Sequence, residues 1–335
     1  MKISRNEFLL WLYERLNKLN NQRHLYSIRT AFISTMPIMI VEAYAVVINQ
    51  LPITTYQQIM GRIFGDGWRN FGALAFNSTT QIVALLVVFL VSANLAKWYN
   101  SNYNKQIHAG ISGMVSLASY IVVSLPLEEA SAFSFTMVGA NGLFVALVVS
   151  VIAGEAIIRL SSKKSTIQLL SDDPNMAVPQ SFALVVPTII VIGGFVIFRI
   201  LLFATGMEGN LPDIINNFLS NKFQHSSNTI GTAIIYNIAS HLMWLFGIHG
   251  NNVLDGVAQT VFVPAMEANV AAVATGTPTP NLITKTLLDA FVYMGGSGTT
   301  LALLIALLIF VRGRTYKTLL RYAVPNSIFN INEPI

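Results

Sequence analysis

Residues 229–252 read TIGTAIIYNIASHLMWLFGIHGNN. Between Ile230 and Ile248 only Asn237 and His241 carry strongly polar side chains, and no formal charge interrupts the run. A bilayer crossing needs about 20 predominantly apolar residues, so the stretch predicts a membrane span over 229–248. It stops on an imidazole, Ile248-His249-Gly250, with Asn251 and Asn252 directly behind. Glycine beside a polar group permits close approach of a ligand to the backbone. Trp244 and Phe246 offer flat faces for stacking. The spacing leaves two readings of His249 open, a ligand contact and a helix-end cap. His241 reads as a hydrogen bonder between helices.

The whole chain has the composition this span requires. Of 335 residues 53% are hydrophobic and 10% charged, where a soluble domain carries about 25% charged residues. Mean hydropathy is +0.59. These values exclude an ordinary cytosolic enzyme, a nucleic-acid module and a disordered chain. Long apolar runs without alternating strands predict an all-α polytopic membrane protein. The formal net charge of +5 then reports cytoplasmic loops rather than a nucleic-acid partner. The absence of cysteine excludes disulfides, a thiolate metal site and a phosphocysteine on this chain.

Working outward, apolar runs predict spans near 30–50, 78–97, 107–126, 140–159, 182–204, 229–248 and 298–312, about seven to eight in all once a missing crossing is counted. Residues 1–29 alternate Phe8, Leu9, Leu12, Leu16 and Leu19 with Glu7, Glu14, Arg15 and Lys18. This reads as an amphipathic helix on the membrane surface or as a cap packed on the protein. Lys and Arg cluster before residue 30, at 97–105, at 159–164 and at 312–321, whereas the loop after the third span holds only Glu128 and Glu129. The bias predicts a cytoplasmic amino terminus. Spans 229–248 and 298–312 then run in the same direction, so something in 250–297 must cross back. That segment is semi-polar, carries Thr277-Pro278-Thr279-Pro280, and ends in Gly295-Gly296-Ser297-Gly298. Polar irregular backbone at membrane depth persists only buried in protein or lining a wet cavity, the device by which transporters build mid-membrane sites. A re-entrant or broken-helix region is therefore expected, with a division near residue 225 into simple spans, 1–225, and a punctuated part, 226–335.

The carboxyl end, Pro325-Asn326-Ser327-Ile328-Phe329-Asn330-Ile331-Asn332-Glu333-Pro334-Ile335, concentrates donors and acceptors. A carboxylate at membrane depth is a functional candidate by default, and paired acceptors with amide donors suit sugar hydroxyls. A frayed polar tail is the competing reading. Glu42 lies deep in the first span and reads as a structural carboxyl or as a proton or cation site. Glu155 and Arg199 lie near span ends, where they can pair or snorkel. No phosphate-binding glycine loop and no metal-ligand spacing appears, so no nucleotide, cofactor or metal is expected.

Several of these motifs resemble one family. Gln22-Arg23-His24-Leu25, Ile28-Arg29, Phe32-Ile33 and Met36-Pro37 are similar to the opening of enzyme IIC, the membrane component of the phosphoenolpyruvate-dependent sugar phosphotransferase system, in its lactose/cellobiose/diacetylchitobiose branch. Asn141–Ala146, Val178–Phe182, Phe246–Gly250, Gly295–Gly298 and Ser327–Pro334 resemble its later motifs. The resemblance implies a sugar permease, homodimeric in the bacterial cytoplasmic (inner) membrane. Its first half would be the dimer scaffold and its second half a mobile domain carrying a disaccharide. A separate phosphorylated IIB protein would donate phosphate to the sugar 6-hydroxyl. By the same resemblance Glu333 and His249 flank that hydroxyl as the catalytic pair, Glu333 taking or orienting its proton. The substrate-binding candidates are Trp244, Gly250, Asn251, Gly296, Asn330 and Asn332. The chain departs from the family in carrying Glu42 where small residues are common, and in ending soon after Glu333, which reads as a truncation at the carboxyl end. A non-transporting sensor or binding module and an ion-coupled symporter using Glu42 are the competing functions.

Overall fold

The computed structural model describes residues 10–11, 14–15, 17–19, 21–125, 135–161, 184–207, 209–224 and 229–331. Among these the chain is helical and contains no strand. Segments long and apolar enough to cross a membrane are Arg23–Gln50, Gly67–Tyr103, Ala140–Ser161, Val185–Ala204 and Asp255–Ala274, and Ala109–Ser124, Ile230–Leu245 and Thr300–Phe310 are shorter apolar helices. Of the expected amino-terminal surface helix, the described residues are helical, and Leu10, Trp11 and Leu19 are exposed rather than packed on the protein.

Helix α1 (Arg23–Gln50) starts earlier than its apolar run, because the Gln22 side chain accepts from the amides of His24 and Leu25, both at 2.9 Å. Its 28 residues far exceed the roughly 20 that a bilayer requires. After the short helices α2 (Thr54–Phe64) and α3 (Asn70–Ser78) come α4 (Val83–Tyr103), α5 (Ala109–Ser124), α6 (Leu143–Ser161) and α7 (Val185–Ala204). Helix α1 packs on α4, and α4 packs on both α5 and α6. Ala31, Phe32, Val83, Val87, Val91, Tyr120, Leu143 and Val149 are all buried in this cluster.

Helices in lipid associate through close approach and interhelical hydrogen bonds, because lipid supplies no hydrophobic drive between them. The α4–α5 seam shows both. Ser92 Oγ and Ser112 Oγ stand 2.8 Å apart, and a Cβ on Gly113 would sit 2.6 Å from the Phe89 ring. At the cap of the bundle the Tyr120 hydroxyl donates to the Met137 carbonyl at 2.5 Å. Of the two ionisable groups flagged near span ends, Glu155 is ion-paired, whereas Arg199 is held by a backbone carbonyl. Glu155 accepts from Arg23 Nε at 2.7 Å and Arg159 Nε at 3.1 Å, and has His24 Nε2 at 2.8 Å. The Tyr99 hydroxyl donates to the same carboxylate at 3.0 Å. Arg199 is buried and donates to the Gly209 carbonyl.

The second half is built differently. After α8 (Leu211–Gln224), helix α9 (Ile230–Leu245) stops three residues short of its apolar run, because Gly247 adopts φ 71°. A side chain there would be strained and would also meet Arg29 Cγ at 2.7 Å. The crossing demanded by the charge bias is α10 (Asp255–Ala274), a continuous helix through Pro264. The irregular part is confined to 275–299. Part of its backbone is held by α10, since Asn269 Nδ2 donates to the Asn281 carbonyl at 2.7 Å and Asn281 N donates to Asn269 Oδ1 at 2.9 Å. A short helical limb, Lys285–Val292, leads to a turn in which Gly295, Gly296, Gly298 and Thr299 all have positive φ. Helices α11 (Thr300–Phe310) and α12 (Arg314–Ile328) follow and pack through Leu304, Leu320 and Ala323. At about 1.5 Å per residue, α11 alone cannot span the bilayer, which agrees with a segment that begins inside a broken region.

Gly142 is the tightest position of the first bundle, since a Cβ would lie 2.0 Å from Tyr120 Oη and 2.1 Å from the Met137 carbonyl oxygen. Overpacking of this kind costs about 1–3 kcal/mol or more. Gly142→Ala should therefore lower the melting temperature of the detergent-solubilised protein by several degrees, read by intrinsic fluorescence. An unchanged transition would show that this cap does not bear on the bundle's stability.

Candidate functional site

A cavity of about 360 Å³ opens where the two halves meet, within the ~300–1,000 Å³ typical of small-molecule sites. Helix α1 contributes Met39 and Glu42, the turn before α4 contributes Thr80, and α9 contributes Tyr236. The connection from α9 to α10 adds His249, Asn251, Asn252 and Asp255. The broken segment adds Lys285, Asp289, Tyr293, Gly296 and Ser297, and the end of α12 adds Asn330.

The cap reading of His249 is seen directly. The residue caps the turn Gly250–Val253, its Nδ1 accepting from Asn252 N at 3.3 Å, and its ring lines the cavity. The cap fixes the chemistry. An imidazole that accepts at Nδ1 carries its proton on Nε2 when neutral, so it offers a ligand a donor rather than a base. Trp244 does not line the cavity; its ring centroid lies 4.6 Å from that of His249, tilted by 52°, and so packs behind the imidazole. Gly250 is also behind the wall. A Cβ there would lie 2.2 Å from the Ser240 carbonyl oxygen, so this glycine brings the His249 turn against α9 rather than admitting a ligand. Asn251 is oriented by the same helix, its side-chain oxygen accepting from the Ser240 hydroxyl.

Gly296 lies in the turn, which is pinned from two sides. His241 Nε2 stands 3.2 Å from Thr299 Oγ1, in keeping with a helix-interface role. Asn330, itself at φ 59°, accepts the Gly295 amide on Oδ1 at 2.8 Å. The predicted residues His249, Asn251, Gly296 and Asn330 therefore share one cavity, with Trp244 and Gly250 supporting it. Asn332 and Glu333 lie outside the described residues, as does the motif at 178–182.

Glu42 lines the cavity, and its Oε2 accepts from Thr80 Oγ1 at 3.0 Å. Sequence reasoning missed Tyr236, Asp255, Lys285, Asp289 and Tyr293 as wall residues. A signal for them existed, because charges within an otherwise apolar segment are functional candidates and Lys285 and Asp289 stand one helical turn apart. Their ion pair is 2.5 Å long. Tyr236 packs edge-on against Phe262, with ring centroids 5.1 Å apart and planes at 76°.

Carboxylates, amides, phenols, an ammonium and an Nε2–H line this cavity, groups that can hydrogen-bond a polyhydroxylated ligand. Comparison with known proteins gives the family. The family description "Phosphotransferase system, EIIC" matches residues 29–335. The lichenan permease IIC component of Bacillus subtilis (strain 168) is 31% identical over 330 residues, covering 95% of this chain and 71% of that protein. The cellobiose-specific EIIC component of Geobacillus stearothermophilus is 30% identical over 348 residues, covering 98% and 75%. Among solved structures, the transporter ChbC, the IIC component of the N,N'-diacetylchitobiose-specific phosphotransferase system, aligns with a TM-score of 0.62 at 30% identity, over 97% of this chain and 76% of that one. The all-helical fold, the ordered motifs and these matches place the chain in the phosphotransferase system EIIC family of sugar-specific membrane permeases.

Proposed function

We propose that the chain binds a cellobiose- or diacetylchitobiose-like disaccharide beside His249, carries it across the bacterial cytoplasmic membrane, and presents its 6-hydroxyl to a separate phosphorylated IIB protein. The observation that carries this reading is the convergence of His249, Asn251, Gly296 and Asn330, from separate motifs, on one cavity. The transferred phosphate belongs on the partner, since this chain has no cysteine to carry it. Residues 1–225 are read as the scaffold of a homodimer and 226–335 as the moving part, consistent with Glu42 and Thr80 on one wall and the broken segment on the other.

His249 donates Nε2–H to a sugar hydroxyl and holds it in place. Glu333 accepts or orients the proton of the 6-hydroxyl, the role general-base catalysis requires. The phosphoryl group itself needs positioning and charge compensation more than covalent help. The amino terminus is read as cytoplasmic from the Lys and Arg bias.

Three outcomes test this reading. His249→Ala should weaken cellobiose binding to the purified protein about tenfold or more, the worth of a lost buried donor, as measured by calorimetry in nanodiscs. Glu333→Gln should still bind the sugar, but phosphorylated product in vesicles supplied with phospho-IIB should fall by about 10²–10⁴-fold; full product formation would remove Glu333 from the chemistry, and sugar binding without any product from the unaltered chain would favour a sensor. Because the chain lacks cysteine, Ser101→Cys offers a single thiol at the exposed end of α4. An impermeant maleimide should label it in inverted vesicles and not in whole cells, and the opposite pattern would reverse the orientation.

A further inference from the structure

We propose that Lys285 is the anion-binding group of this site: it pairs with Asp289 while the bound sugar is neutral, and exchanges that carboxylate for the phosphate of the sugar 6-phosphate formed there. This assignment rests on the phosphotransferase reading above and names what holds its product. In that reaction the S–P bond of the IIB phosphocysteine breaks, an O–P bond forms at the sugar O6, and the hydroxyl proton passes to the general base. The ligand changes from neutral to a charge of about −1.5 to −2 without leaving the cavity. The acidic side chains of the wall, Glu42, Asp255 and Asp289, are not suited to hold such a ligand. Among the described lining residues Lys285 is the only lysine or arginine, so the positive charge that phosphoryl transfer needs falls to it. Lys285 and His249 both act on the Asp255 carboxylate, which puts the ammonium and the imidazole near one point of the wall.

The Lys285–Asp289 pair is suited to exchange. Its N–O distance is 2.5 Å, and the two side chains remain 26% and 50% exposed. An ion pair open to water in this way contributes little to stability, so giving it up for a phosphate costs little. Its order along the chain also speaks against a helix-stabilising role. An acid four residues before a lysine is the favoured arrangement on a helix, and here the lysine comes first. Asp289 lies in a widened π-type turn, Leu288–Val292, closed by Tyr293 N donating to the Leu288 carbonyl at 2.9 Å. Such turns recur at functional sites. Charge-assisted bonds from an ammonium to phosphate oxygens are stronger than bonds to the hydroxyls of a neutral sugar. The exchange therefore follows phosphoryl transfer and reverses as the product leaves.

Calorimetric titration of the purified chain in nanodiscs, with cellobiose and with cellobiose 6-phosphate at constant ionic strength, tests the assignment. The quantity read is the affinity for the phosphate relative to that for cellobiose. Lys285→Gln should lower this ratio about tenfold or more, and Lys285→Arg should keep most of it. Asp289→Asn frees the ammonium and should raise the ratio about tenfold, a gain that should vanish in the double variant with Lys285→Gln. A ratio unmoved by Lys285→Gln, no rise in Asp289→Asn, or a rise that survives in the double variant overturns the assignment and leaves the saccharide reading standing. An unaltered chain that binds cellobiose but not its 6-phosphate does the same. Failure of the unaltered chain to bind either sugar overturns both. The two single substitutions move the ratio in opposite directions, so general damage to the cavity cannot imitate the pair of results. Should Lys285→Gln fold poorly, Asp289→Asn still decides.

Discussion

The hydrogen bond from the Gly295 amide to Asn330 Oδ1, 2.8 Å long, joins a run of left-handed backbone to the last described turn of the chain. An irregular segment at membrane depth requires such closures, because lipid offers no partner to an exposed amide or carbonyl. The Asn269–Asn281 pair does the same work farther back, and the contact between His241 and Thr299 does it at the start of α11. The cavity is what remains between irregular strands of chain held in this way and the ordinary helices α1 and α9.

The two halves follow different physical logics. In the first, small residues bring backbones together and a few buried hydroxyls bond across the seams, so stability comes from close packing. Its buried carboxylate among the described residues, Glu155, sits among Arg23, His24, Arg159 and Tyr99, and its charge is locally compensated. In the second half Asp255 and Asp289 line a cavity instead.

The capping role of His249 shows how structure and chemistry share a residue. The short turn Gly250–Val253 needs an acceptor at its start, and the imidazole provides one at Nδ1. That same bond sets the tautomer presented to a ligand. Trp244 behind the ring and Gly250 beneath the turn hold the imidazole without touching the cavity, so their place is in preorganisation.

Composition and apolar run length determined the membrane class and the positions of α1, α4, α6 and α7, because the bilayer fixes how much apolar chain a span requires, and the Lys and Arg bias called for a further crossing after His249. The motifs around His249, Gly296 and Asn330 were legible as polar groups placed where they are expensive. Helix ends were less so: α9 ends at Leu245, just ahead of Gly247, whose positive φ a side chain could adopt only with strain and against Arg29. Only the tertiary structure decided which polar residues face one cavity. Asp255, Lys285, Asp289 and Tyr293 look in the sequence like scattered interruptions of apolar segments, and Glu42 lies far from them along the chain. Side chains from distant segments acquire a common ligand only when folding sets their directions, and no one-dimensional period encodes that.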